Sequence, residues 1–546
     1  MSITKYIFVT GGVVSSVGKG VAVASIGRML KSRGLSVSIL KLDPYLNVDP
    51  GTMSPYQHGE VFVTKDGGET DLDLGHYERF IDEDLTQQSN VTAGQIYSTV
   101  IAKERRGDYL GGTIQAVPQV TDAIKERIQN LAQSSNADVV VVEVGGTVGD
   151  IEGLPFLESI RQIRHEFGRD NVFAVHVTFL PYLAATQELK TKPTQHSVKE
   201  LRGIGIQPEA IILRSDHEVP EDIRRKVSAF CDVPLEGVVP LVTVSNVYSI
   251  PLVLEDCGLS LLILKSLKLN TRDGDFVDWK RMIELMDASK KSVTVAVVGK
   301  YVAFQDSYIS VREALRHAGL KHSLDIEIEW VHSEQIEETG VESLLSHVNG
   351  IVVPGGFGPR GIEGMIQTAK YARENSIPYL GLCLGMQIMV VEVARNLAGL
   401  SKANSTEFDP ETVHPVIDFM PEQKEVDSLG GTMRLGSYPC ELQLGSLALQ
   451  AYSSPLVNER HRHRFELNNA YLEQLQAVGL NATGISPDGQ LVEICELVEH
   501  PFMLGVQFHP EFRSRPDRPH PLFSAFIRVA KSILREGAQR PLHLGH

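Results

Sequence analysis

Short, mainly apolar runs recur along this chain, several closed by a glycine or a charged residue. Tyr6–Thr10, Val139–Val142, Val172–Leu180, Ala210–Leu213 and Val238–Val244 lack the alternation of a half-exposed strand, and Leu35–Leu40 is a further strand between the first two. They read as strands buried on both faces of a parallel sheet. Helical stretches fill the intervals, beginning with Val21–Ser32. A polar and charged stretch, residues 270–292, then breaks the pattern, with only the short amphipathic run Trp279–Met286 inside it. It predicts an interdomain linker. A second series follows: Val293–Val298, Asp325–Val331, Gly350–Val353, Ile377–Leu380, the helix-like Met386–Arg395, and Phe502–Phe508. The expectation is an α/β protein of two doubly wound domains, 1–269 and 293–546, joined by 270–292.

Bulk properties narrow the class. At 546 residues the chain exceeds one ordinary domain, and its 42% apolar and 22% charged fractions are those of a globular protein. A net charge of −16 argues against nucleic-acid partners and against an anionic membrane surface. Five cysteines without a Cys-x-x-Cys pair point to a reducing compartment. Gly11-Gly12 interrupts the first apolar run, so no signal peptide is read, and no apolar stretch reaches membrane-spanning length. A cytoplasmic protein is expected.

Candidate chemistry is densest at Gly381-Leu382-Cys383-Leu384-Gly385-Met386-Gln387, between a strand and a helix. Glycines on both sides permit a sharp bend, and a thiol near a helix N-terminus is favoured as thiolate. His509-Pro510-Glu511 follows an apolar strand far downstream and offers a base with its orienting acid. The alternative for Cys383, a buried core thiol, does not account for the glycines or for the His–Glu pair.

In the first domain, Gly11 to Gly20 joins the first strand to the first helix and contains Lys19. Backbone N–H groups, a helix N-terminus and a lysine make a phosphate cradle. It departs from the standard P-loop: five residues separate Gly12 from Gly18, and Gly20 stands where a Ser or Thr is usual. Mg²⁺ would then need other oxygens. Asp73, with Asp71 on the same face of an extended stretch 71–78, and Glu143, at a strand end, supply them. Lys41 closes another strand, where open α/β sheets bind ligands. Pro193 predicts an extended Lys190–Gln195, with both lysines on one side beside a second polyphosphate. The turn-rich stretch Asp49–Val61, with His58, reads as a working loop, and 460–464 as a solvated one.

The Cys383 elbow and the His509/Glu511 pair resemble class I glutamine amidotransferases, and the phosphate loop resembles that of dethiobiotin synthetase. Residues 6–20, 41–45, 49–63, 71–80, 143–152 and 190–201 together are similar to the CTP synthase family over essentially the whole chain. That resemblance implies a reaction in which ATP phosphorylates O4 of UTP and ammonia from L-glutamine displaces the phosphate. It implies that Ser16, Val17, Gly18, Lys19, Gly20, Val21, Lys41 and Asp73 bind ATP, and that Asp73 and Glu143 hold Mg²⁺. Ser15, Lys190, Thr191, Lys192, Pro193, Thr194, Gln195 and Lys226 are implied for UTP, and Asp150, Ile151 and Glu152 for inhibitory CTP. Gly356, Leu384, Gly385, Met386, Gln387, Glu407 and Arg464 are implied for glutamine, with Gly356 at the oxyanion hole. His58 is implied to line an ammonia tunnel, and 430–436 to form the lid through which GTP activates. A homotetramer, in some members a filament, is implied too. Two rivals stand beside this reading: an amidoligase acting on a carboxylic acid, and a ParA-like ATPase scaffold with a vestigial glutaminase.

Overall fold

The computed structural model describes residues 4–420 and 433–533. Contacts divide the chain into two units, 1–51 with 69–287, and 52–68 with 288–546.

The first unit is built on a seven-stranded sheet. Its strands are β1 (Lys5–Gly11), β2 (Val37–Asp43), β3 (Asn90–Thr92), β4 (Val139–Val144), β5 (Val172–Phe179), β6 (Ala210–Ser215) and β7 (Val238–Val242). Their order is β7-β6-β5-β1-β4-β2-β3, every pair parallel. Isoleucine, valine and phenylalanine fill both faces, as expected of a sheet covered by helices on each side. With β1 central, the loops after β1, β2 and β4 leave from one edge, where doubly wound sheets bind ligands. Helix α1 (Lys19–Ser32) starts directly after Gly18, whose φ of 87° only glycine adopts at no cost.

Two stretches expected to be extended are helical. Helix α2 (Asp73–Ile81) begins within 71–78, and helix α3 (Lys192–Gly203) begins at the Lys-Thr-Lys-Pro turn. Pro193 stands in the first turn of α3, where the missing N–H has no intrahelical acceptor to serve. Residues 270–292 are also more than a connector. Helix α4 (Val277–Asp287) counts with the first unit, and the division falls after Asp287. Its buried Trp279 lies 5.7 Å from the Phe80 ring, donates Nε1–H to the Tyr248 carbonyl at 2.8 Å, and is capped by Arg28 at 4.4 Å.

The second unit carries β8 (Lys291–Gly299), β9 (Leu324–His332), β10 (Gly350–Val353), β11 (Tyr379–Leu382), β12 (Arg434–Leu442), β13 (Leu456–His463), β14 (Leu480–Ile485), β15 (Val492–Leu497) and β16 (Met503–Val506). The order is β9-β8-β10-β11-β16-β15-β14-β12-β13, parallel through β16 and antiparallel beyond it. Helix α5 (Ile309–Lys321) follows β8, and helix α6 (Leu384–Asn396) leaves β11. Residues 460–464, expected as a solvated loop, are mostly strand: β13 buries Arg460, His461 and His463. Part of their polar surface finds partners inside, while His461 Nε2 and His463 Nδ1 accept or donate no hydrogen bond among the described residues. His461 Nδ1 meets His463 Nε2 at 2.9 Å, and neighbouring Arg434 pairs with Glu466 at 3.1 Å and Glu493 at 2.7 Å.

Candidate active sites

Parallel pairing sets the first centre. β11 and β16 are neighbours, with Leu382 opposite Val506, so the residues just beyond both ends emerge together. Cys383 is held there by its N–H, which donates to the Val506 carbonyl at 2.7 Å. Its φ of 52° and ψ of −101° are a strained backbone for a residue with a Cβ, typical of a nucleophile at a tight strand–helix bend. The elbow tolerates no bulk. A Cβ on Gly385 would overlap the Val353 carbonyl, and one on Gly381 would press into Gly385 itself.

His509 is buried three residues past β16, and its Nδ1 lies 2.7 Å from Glu511 Oε1. Burial works against a charged imidazole, but Glu511 and the adjacent Cys383 thiol overcome it and raise His509 to about 10. That couples thiol, imidazole and carboxylate in sequence. The Gly355 backbone passes so near that a Cβ there would meet His509 Cε1 at 2.9 Å and Cys383 Cβ at 3.7 Å. The loop after β10 is fixed from behind. Buried Lys300 donates to the carbonyls of Phe357 (3.2 Å) and Gly358, and Glu407 accepts from the Gly358 N–H at 2.7 Å. Burial depresses Lys300 to about 8 and raises Glu407. Leu384, Gly385, Met386 and Gln387 form the buried first turn of α6, and Gln387 Nε2 donates to the Phe465 carbonyl at 3.0 Å. Gly356 lies in the Lys300-braced loop, and Arg464 is half-buried just past β13.

Sequence reasoning missed Lys300 and Gln507. Gln507 is fully buried, and its Nε2 lies 3.7 Å from Cys383 Sγ. In the sequence Lys300 comes just after the apolar run Val293–Val298 as Lys41 comes just after Leu35–Leu40, which was the available signal; Gln507 offered none beyond its nearness to His509.

The second centre lies in the first unit. Lys19 Nζ donates to the Gly146 carbonyl, and the Val148 N–H donates to the Gly11 carbonyl at 2.8 Å, so the loop after β4 meets the phosphate loop. Ser15, Ser16 and Val17 form the crest of that loop, with Ser15 and Ser16 exposed and Ser16 at a positive φ of 54°. Gly20 and Val21 open α1. A Cβ on Gly20 would overlap the Asp73 carboxylate. That carboxylate therefore fills the place of the side chain that ordinary P-loops carry. Lys41 pairs with Asp73, with Asp71 at 3.3 Å and with Glu143 at 3.3 Å. Burial would lower Lys41, but the three carboxylates hold it well above the usual lysine range. Burial would raise Asp73, but Lys41 outweighs it and holds Asp73 low. In Glu143 burial wins and the carboxyl is raised. Tyr77 donates to its other oxygen. Buried Glu143 and half-buried Asp73, already gathered around a cation, form a hard-oxygen pair of the kind Mg²⁺ uses together with substrate phosphates.

The remaining predicted residues separate into two groups. Asp150 accepts from the Thr147 N–H at 2.8 Å, and Ile151 and Glu152 are exposed beside it. Lys190 pairs with Glu188, whose carboxyl is also held low by Lys226, and Lys192 lies over the Phe230 ring at 5.5 Å. Thr191 is buried and accepts from Gln195 Nε2 at 3.0 Å, Pro193 starts α3, and Thr194 bonds Thr178 at 3.1 Å. Among the described residues no hydrogen bond or ion pair joins 150–152 to 190–195. His176, also missed, bridges Thr10 of β1 and Ser197 of α3 at 2.8 Å each. Burial and Lys19 depress it to about 3. His58 is half-buried in the one-turn helix Pro55–His58 of the second unit. Residues 430–432 of the expected lid lie outside the described residues, as do Glu536–His546. No single described helix is long and apolar enough to cross a membrane.

Comparison with known proteins adds five findings. A family model described as CTP synthase N-terminus matches residues 5–269, and one described as glutamine amidotransferase class-I matches 303–529. A protein of Dehalococcoides mccartyi named CTP synthase is 63% identical over 541 residues, covering 99% of each chain. One of Thermomicrobium roseum with the same name is 63% identical over 540 residues, covering 99% of this chain and 98% of its own. The glutaminase domain of a Trypanosoma brucei CTPS, solved with bound acivicin, is 38% identical, covers 44% of this chain and 94% of its own, and superposes with a TM-score of 0.42.

Proposed function

The chain belongs to the CTP synthase family, glutamine-hydrolysing ligases that form CTP from UTP and ATP, and on that premise we propose how its residues divide the work. His509 takes the Cys383 proton while Glu511 holds the imidazole by Nδ1. The thiolate attacks the carboxamide carbon of glutamine, and the N–H of Gly356 faces the developing oxyanion. His509 returns the proton to the departing ammonia, and water then releases glutamate from the thioester. Leu384 to Gln387, Glu407 and Arg464 hold the substrate. Lys300 keeps the 355–358 loop, and with it the oxyanion donor, in place.

In the first unit, Lys19 and the N–H groups from Ser16 to Val21 hold the ATP phosphates, and Lys41 draws in their charge. Asp73 and Glu143 hold Mg²⁺, which neutralises phosphate charge when bound. Ser15, Lys190 to Gln195 and Lys226 hold UTP, whose O4 accepts the γ-phosphoryl group. Ammonia then replaces phosphate at C4, on a path that passes His58. Asp150 to Glu152 recognise CTP as inhibitor, and GTP activates through 430–436. The enzyme is cytoplasmic and works as a homotetramer able to build filaments.

The observation that carries this reading is that one chain holds both a Cys–His–Glu triad at an elbow and a phosphate loop whose absent side chain is replaced by Asp73. CTP is measured from UTP, ATP and Mg²⁺, with either glutamine plus GTP or free ammonia, for wild type and Cys383→Ala. Both nitrogen sources serve wild type and ammonia alone serves the variant. ATP hydrolysis by wild type without CTP from ammonia sinks the UTP assignment.

A further inference from the structure

Residues 52–68 pack into the second unit although the chain on either side of them belongs to the first. They are anchored at both ends. The Tyr56 hydroxyl donates to the Lys300 carbonyl at 2.6 Å, and Ser307 Oγ donates to the Pro55 carbonyl at 3.0 Å. Glu60 accepts from Ser310 N–H at 3.2 Å and from its hydroxyl, and further on the Ser437 N–H donates to the Lys65 carbonyl at 2.9 Å.

Between these anchors the segment reaches the base. Phe62 is 0% exposed, with its ring 5.0 Å from that of Phe512. Phe512 in turn stacks on His509, centroids 5.1 Å apart and planes 16° apart. Arg460 is 1% exposed, donates Nη1–H to the Val63 carbonyl at 3.0 Å, and lies 5.5 Å from the Phe62 ring. The carbonyl of the same Arg460 accepts the His509 N–H at 2.7 Å. The bond to Glu511 fixes His509 within its ring plane, whereas these contacts fix its tilt and its backbone.

We propose that Phe62 and Arg460 are positioning residues for His509, through which residues 52–68 set the rate of glutamine attack at Cys383. The inference rests on His509 being the base. Glutamate release and ammonia-dependent CTP formation are measured on the full-length enzyme. Phe62→Ala lowers kcat for glutamate release about 10- to 100-fold, leaves KM for glutamine within about twofold, and leaves ammonia-dependent CTP formation within about twofold. Phe62→Leu, which keeps most of the volume, recovers most of the loss. Unchanged kcat, a loss confined to KM, or a parallel fall of the ammonia reaction overturns the proposal. Should Phe62→Ala not fold, Arg460→Lys carries the same measurement: a kcat loss at constant KM supports positioning, and wild-type kcat overturns it. His509→Ala runs alongside, and glutamate release at the wild-type rate by that variant refutes the base itself rather than its positioning.

Discussion

At the scale of single residues, His509 is the group whose protonation most directly reports on the glutaminase centre. Its pKa is raised to about 10 in the fold, against about 6.5 unfolded. The charged imidazole is therefore favoured by folding. The stabilisation is complete below the unfolded value, declines as pH rises, and is gone above about 10. Glu511→Gln removes the largest influence raising that pKa, so the gap in melting temperature between wild type and variant narrows steadily as pH rises from neutrality, as scanning calorimetry would show. A gap that widens toward alkaline pH refutes the pairing. In the same variant kcat for glutamate release falls about 10²- to 10⁴-fold, while ammonia-dependent CTP formation is retained. Gly20 gives the matching test in the other unit. Gly20→Ser restores the usual P-loop side chain but drives it into Asp73. CTP formation from ammonia then falls about 100-fold, as a misplaced group near the chemistry does. Wild-type activity in Gly20→Ser would show that Asp73 moves aside freely.

At the scale of elements, what was legible and what was not have physical reasons. The parallel strands were readable because burial on both faces leaves an unbroken apolar run, as in Val139–Val142, and the elbow because glycines flank one cysteine. The Asp71–Glu78 and Lys190–Gln195 stretches misled because polar helix starts lack apolar period. Pro193 marks a first turn as readily as an extended chain. Strand β13 misled more deeply. Its run of arginines and histidines has the composition of a solvated loop, and its burial depends on partners distant in sequence, such as Glu493 beside His461, as well as on the nearby Glu466 beside His463. The packing of 52–68 was illegible for the same reason, since every anchor it uses lies at least 240 residues downstream. The site residues were found mostly by resemblance. The structure adds Lys300, Gln507 and His176, whose roles arise from what surrounds them.

At the scale of the whole molecule, the boundary between the units lies past the point where polar composition first suggests it. Helix α4 closes an aromatic cluster of Phe80, Tyr248 and Trp279 on the first unit. A fragment ending at 269 lacks that helix, and one ending at 287 keeps it. The longer fragment melts cooperatively and resists proteolysis, while the shorter unfolds at lower temperature. Replacing Trp279 by Ala in the full chain costs about 3–5 kcal/mol, the usual range for emptying a buried aromatic site. Equal protease resistance of the two fragments would return 270–287 to the status of a connector.

The excursion of residues 52–68 also bears on how such a gene can change. A crossover near codon 288 that joined the front half of one gene to the back half of a distant relative would not exchange whole structural units. It would pair one lineage's Phe62 and Val63 with another's Phe512 and Arg460. The codons for 52–68 near the start and those for 288–546, the back half of the reading frame, are thus inherited as one trait, and recombinants at the evident boundary carry a mismatch beside the very histidine on which glutamine use depends.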